Sequence, residues 1–159
     1  MTACPPAIIE RYAQYDRAFS NRDVPALEQI ETPNFLDTDP DGTRRGLKAA
    51  SENQARFFAM VKTMKLTSAV QCQKLSDTSY QAIATVTLNA LFSPPHGHAS
   101  HLHQVYVNHD RWTNIDGKWR LASQTTVKLD GSYDGQTIHL TLPATHPPTS
   151  LSRSAKVTA

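Results

Sequence analysis

Pro33-Asn34-Phe35-Leu36-Asp37-Thr38-Asp39-Pro40-Asp41-Gly42 is the stretch on which the reading of this chain turns. It sets three carboxylates in a short alternation of apolar and polar residues that closes in a turn. With Phe35–Asp39 as a strand, a period of two puts Phe35, Asp37 and Asp39 on one face. Two acids beside an aromatic ring mark either a solvated sheet edge or the start of a polar site in an apolar hollow. Asp39-Pro40-Asp41-Gly42 has the composition of a turn.

Helical patterns precede this strand. From Pro6 to Asn21, Ile8, Tyr12, Tyr15 and Phe19 recur at helical steps and form one apolar-aromatic stripe. Asp23 is placed to cap a short second helix through Ile30, with Pro25 in its first turn and Pro33 beyond it as a stop. A third helix is predicted over Leu47–Val61, with Ala50, Phe57, Phe58 and Val61 as its apolar face.

Beyond it the period becomes two. Strands are predicted at Met64–Leu75, Tyr80–Phe92, Leu102–Asn114 and Lys118–Leu129, with a short edge strand at Ile138–Leu142. Ser76-Asp77-Thr78-Ser79 and Ile115-Asp116-Gly117 are hairpin turns. Ser93–Ser100 is too rich in Pro and Gly for regular structure. Helices followed by consecutive hairpins imply an α+β fold, with the N-terminal helices packed in the concave face of a curved, mostly antiparallel sheet. Residues 1–142 read as one domain and 143–159, rich in Pro, Ser, Thr and Ala, as a disordered tail.

The chain has 159 residues, 39% of them hydrophobic and 19% charged, with a net charge of +2. Arg153 and Lys156 account for that excess, so no basic stripe exists and nucleic acid is not expected as a partner. No apolar run has the length of a membrane span, and the first residues lack the features of a signal peptide. The chain reads as cytoplasmic as it stands. Cys4 and Cys72 lack metal-ligand spacing. They are either two unrelated thiols or a disulfide pinning the N-terminus to the sheet, which would imply an exported mature chain.

The order of elements resembles the nuclear-transport-factor-two-like superfamily, and most of all its SnoaL-like and ketosteroid-isomerase-like members. Three motifs carry the resemblance: Tyr15-Asp16-Arg17-Ala18-Phe19-Ser20-Asn21-Arg22-Asp23 leading to Leu27; Asp37-Thr38-Asp39-Pro40-Asp41-Gly42; and Asp110-Arg111-Trp112 up to Asp116-Gly117-Lys118-Trp119-Arg120. It implies a cone-shaped α+β barrel. Ketosteroid isomerases carry a helix-1 tyrosine eight positions before an aspartate, as Tyr15 stands before Asp23, and a general base directly before a proline, as Asp39 stands before Pro40. Their third group, a protonated carboxyl on a late strand, falls on His109 or Asp110 according to one residue of register.

The resemblance thus implies Asp39 as a base, Tyr15 as an oxyanion donor, and Asp110 or His109 as a second acid or donor. Each has a structural alternative: Asp39 as a turn carboxylate, Tyr15 as a core residue, Asp110 and Trp112 as a pair near a hairpin end. On the predicted strand Leu102–Asn114, Leu102, Gln104, Tyr106, Asn108, Asp110 and Trp112 share the face that looks like a pocket lining, which favours Asp110 over His109. Asp37, Tyr12, Phe19, Phe35, Phe58, Tyr106, Asn108 and Trp112 are the expected ligand contacts. His96, His98, His101 and His103 cluster, but half of them lie in the Pro/Gly loop without an acid or a thiol. They read as part of a loop at a pocket mouth, and no metal or cofactor is expected.

Two functions follow as expectations. One is a cofactor-independent isomerase, cyclase or dehydratase that abstracts a proton next to the carbonyl of a small hydrophobic ligand. The other is a non-catalytic binding module that dimerises through the outer sheet face, where Val105, Val107, Val127 and Leu129 would meet a second copy.

Overall fold

Helix α1 (Pro6–Ser20) begins with proline in its first turn, where a missing N–H costs nothing, and buries Ile8, Tyr12, Tyr15, Ala18 and Phe19. The structure is a computed structural model that describes residues 1–133 and 136–142, with every side chain among them except that of Ile138. The tail expected from Pro143 onward lies outside the described residues.

Helix α2 (Val24–Ile30) is capped as expected, the Asp23 carboxylate accepting from the Ala26 N–H at 3.1 Å. Strand β1 (Glu31–Thr38) follows at once. Pro33 therefore lies within the strand and is not what ends the helix. The pairing of β1 with its parallel neighbour is irregular between Glu31 and Leu36, where a residue with no N–H is tolerated. Strand β2 (Arg44–Gly46) was not expected; at three residues it is too short to show an alternation.

Helix α3 (Leu47–Ala59) stops at Met60, and Val61 is already the first residue of β3 (Val61–Ser76). The remaining strands are β4 (Ser79–Phe92), β5 (Ser100–Ile115), β6 (Lys118–Tyr133) and β7 (Gln136–Thr141). The sheet order is β2-β1-β6-β5-β4-β3, with β7 also on β6. Among the described residues only the β1–β6 pairing is parallel.

The long strands curve. Two register breaks between β5 and β6 leave Val127 and Ala122 as extra residues on β6, and such bulges increase local twist and bend. The concave face receives α1, chiefly over β3, and α3 near β1. The core is continuous from Ile8, Tyr12 and Phe19 on α1 to Leu88, Leu102 and Trp112 on the sheet. Among the described residues no helix is long and apolar enough to cross a membrane.

The reading of Cys4 and Cys72 as separate thiols does not hold. They form a disulfide across 68 residues, and Thr2 and Cys72 exchange two backbone hydrogen bonds of 2.9 and 2.8 Å. The segment before α1 is thus added to the sheet at β3, and this placement brings the two sulfurs together.

Candidate functional site

The sheet register places polar groups in rows on the concave face. Asp37 on β1 stands opposite Gln124 on β6, and Gln124 opposite Asp110 on β5. One row below, Thr126 faces Asn108. Helices α1 and α3 roof these rows and leave a cavity of about 70 Å³. Its polar floor is Asp37, Gln124, Asn108, Thr126 and Ser68, and its walls are Tyr12, Tyr15, Phe19, Phe57 and Tyr106.

Asp39 is not part of this lining. Strand β1 ends at Thr38, and the chain turns before Asp39 can extend the period-two face inward. Asp39 instead anchors the turn: its N–H donates to the Thr43 carbonyl, its own carbonyl accepts from Gly42 N–H, and its carboxylate takes Arg45 Nη1 at 2.6 Å. Gly42 supplies the left-handed conformation (φ 85°). Asp41 accepts from the Thr43 N–H at 2.9 Å, which is turn chemistry as expected.

His109 points the other way from its neighbour. It is exposed on the outer face, whereas Asp110 is 1% exposed. Period two settles the register in favour of Asp110. That carboxylate meets the pocket through Tyr12, whose hydroxyl donates to Asp110 Oδ2 at 2.6 Å. Trp112 lies fully buried beside this pair, edge-on to the Tyr12 ring at 5.0 Å, and Phe58 packs edge-on against Phe19 at 4.9 Å. Trp112 and Phe58 are therefore core residues behind the pocket wall, not contacts within it. Phe35 lines a smaller adjoining chamber. Tyr15, Tyr12, Phe19, Asp37, Tyr106 and Asn108 do line the pocket.

The pocket tyrosines differ in what their hydroxyls do. Tyr12 donates to Asp110, and Tyr106 donates to Gln104 Oε1 at 2.7 Å. Tyr15 makes no hydrogen bond to any described residue. Burial holds its phenol well above the ordinary range, and the charges of Glu31, Asp37, Asp110 and Asp16 add to the effect, so it stays a proton donor at neutral pH. Burial likewise raises Tyr12, and the Asp110 charge and hydrogen bond add to the effect. Asp16 accepts from Ser68 Oγ at 2.7 Å; its burial outweighs that bond and raises its pKa.

Asn53, Gln54 and Phe57 on α3, and Leu66, Ser68, Val86, Gln124 and Thr126 on the sheet, complete the lining and escaped the sequence reading. Their alternation was visible, but which helix covers which rows depends on tertiary packing. Glu31 was missed for another reason, having read as a connection between helix and strand. It is 6% exposed, and burial, reinforced by the Asp37 and Glu28 charges, pushes it up to about 8.

The described residues contain no group of three His, Cys, Asp or Glu able to hold a metal ion. His103 instead pairs with Asn89 Oδ1 at 2.7 Å on the outer face.

No protein-family model and no curated protein matches the chain. Solved structures do. A Novosphingobium aromaticivorans protein provisionally assigned as a scytalone dehydratase superposes with a TM-score of 0.71 at 10% identity, covering 88% of this chain and 92% of its own. A hexachlorocyclohexane dehydrochlorinase from Novosphingobium barchaimii LL02 gives 0.64 at 14% identity, with 89% and 93% covered. An uncharacterised Caulobacter vibrioides protein with a cystatin-like fold gives 0.60 at 17% identity, with 76% and 85% covered. At these identities the likeness is one of fold.

Proposed function

This chain has the nuclear-transport-factor-two-like fold, and from that premise we propose that its pocket binds a small neutral carbonyl compound and moves a proton on the carbon beside the carbonyl. The observation that carries this reading is the pairing of Tyr15, a phenol with no protein partner among the described residues, with Asp37 in one cavity. Asp37 takes the place that sequence reasoning gave to Asp39. Arg45 lies 3.9 Å behind it and favours its charged, proton-accepting form.

The chemistry follows from the layout. The hydrogen on the carbon leaves as a proton to the Asp37 carboxylate, and the electron pair of that C–H bond moves toward the carbonyl. The Tyr15 hydroxyl donates to the enolate oxygen that develops. Return of the proton to another carbon is isomerisation; departure of a group from the next carbon is elimination. Two of the similar structures are named for a dehydratase and a dehydrochlorinase, both eliminations, which supports the class of reaction without fixing the substrate.

The lining limits the ligand. It has five aromatic rings and no Lys, Arg or His, so anionic groups such as phosphates are disfavoured. Its volume of about 70 Å³ lies far below the roughly 300–1,000 Å³ of pockets for drug-sized ligands, which favours a compact molecule.

Proton abstraction can be tested before the substrate is known. In D2O, a panel of small cyclic ketones and enones is followed by proton NMR for loss of signal beside the carbonyl. The wild-type protein accelerates exchange for a subset, and Asp37→Asn does not. Equal exchange by both proteins removes Asp37 as the base; binding without any exchange favours a non-catalytic binding module.

A further inference from the structure

Behind Asp37 lies a second chamber of about 10 Å³, the size of a single water by the usual threshold of about 10–15 Å³. Tyr15, Asp37, Gln54 and Gln124 line both this chamber and the pocket, whereas Glu31 lines the chamber alone. Asp37 is thus a partition with the ligand space on one side and Glu31 on the other.

The charges around Glu31 are almost all negative. Asp37 faces it from β1 and Glu28 from α2, while Tyr15 faces it from α1. Helix α3 contributes Ala50, Ser51 and Gln54 to the chamber, none of them charged. Arg120 on β6 donates at 2.6 Å to the backbone carbonyl of Glu31, and no ion pair forms with its carboxyl among the described residues. Asp37, by contrast, has Arg45 beside it. Two carboxyls in one small, poorly solvated chamber do not both ionise readily, and the one next to a cation takes the charge.

We propose that Glu31 is a positioning residue whose carboxyl donates, through one water in the chamber, to the Asp37 carboxylate, holding that carboxylate toward the pocket. Glu31 is 6% exposed and lines the chamber, which puts its side chain within reach of a water held there. Burial and the neighbouring charges hold it protonated up to about pH 8. Above that pH the donor is lost and a second negative charge faces Asp37. The effect on turnover rests on Asp37 being the base; the pairing of the two carboxyls does not.

Carboxyl-carbon NMR titrations of the wild type, Asp37→Asn and Glu31→Gln test the pairing without substrate. The Glu31 signal should titrate near 8 and fall by roughly one pH unit or more in Asp37→Asn. A Glu31 signal near its ordinary value of 4.5, or one that Asp37→Asn leaves in place, overturns the proposal. In the exchange assay, the wild-type rate should change near pH 8 and that inflection should vanish in Glu31→Gln. Glu31→Ala should lose on the order of tenfold or more relative to Glu31→Gln, which retains a neutral donor. An inflection that persists in Glu31→Gln also overturns it. If the wild type exchanges nothing, the proposed reaction fails while the titrations still decide the pairing.

Discussion

Arg45 Nη1 lies 2.6 Å from the Asp39 carboxylate, and the Asp39 side chain is wholly buried. Removing one partner of a buried ion pair strands the other and costs about 3–5 kcal/mol. Asp39→Asn should therefore lower the urea midpoint sharply. Asp37 lies 3.9 Å from the same guanidinium, a looser contact, so Asp37→Asn should fold well and lose proton exchange by about 10²–10⁴-fold. Urea melts and exchange rates on the two variants separate the turn anchor from the base. If Asp39→Asn melts like wild type and loses exchange, the assignment is reversed.

The difference between these two aspartates marks what the sequence could reveal. Alternation correctly put Phe35 and Asp37 on the inner side, and Asp110 rather than His109 on the inner face of β5. It placed Asp39 wrongly because alternation holds only while the strand continues, and β1 ends one residue earlier. Helix existence and the long hairpins were legible because their periods run over many residues. The short β2, the lining contributed by α3 and the closeness of Glu31 to Asp37 were not legible. They depend on how the sheet bends at Val127 and Ala122 and on which rows α3 covers.

Tyr15 and Tyr12 lie three positions apart on α1 and should respond oppositely to loss of the hydroxyl. Tyr15→Phe removes a group that bonds no described residue, so stability should change by about 0.5 kcal/mol or less. Exchange should fall by about 10²–10³-fold, as for other removed oxyanion donors. Tyr12→Phe removes a 2.6 Å bond to buried Asp110 and should cost about 1–3 kcal/mol. Thermal melts beside exchange rates check both. An unstable but active Tyr15→Phe would make Tyr15 a core residue.

The Cys4–Cys72 disulfide closes a separation of 68 residues, for which loop entropy gives about 4 kcal/mol of stabilisation. Reduction with dithiothreitol, or the Cys4→Ser/Cys72→Ser double variant, should lower unfolding free energy by about 2–4 kcal/mol. The pocket should survive, because neither cysteine lines it. Chemical denaturation with and without reductant measures the loss. Equal stability in both conditions would mean that the two backbone hydrogen bonds of Thr2 hold this segment without the bridge.

Glu31 also makes stability depend on pH. Its ordinary pKa is 4.5, and in the folded protein it is about 8. Below about 4.5 both folded and unfolded chains hold the proton, and Glu31 carries no penalty. Between the two values the unfolded chain releases a proton that the folded chain keeps, so stability falls as pH rises. Above about 8 both forms are ionised and the penalty is complete, on the order of a few kcal/mol. Glu31→Gln cannot ionise. Its stability relative to wild type should therefore climb from pH 4.5 to 8 and then level off. Urea unfolding of both proteins across this range reads the difference directly. A difference that stays flat with pH would place the Glu31 carboxyl in water.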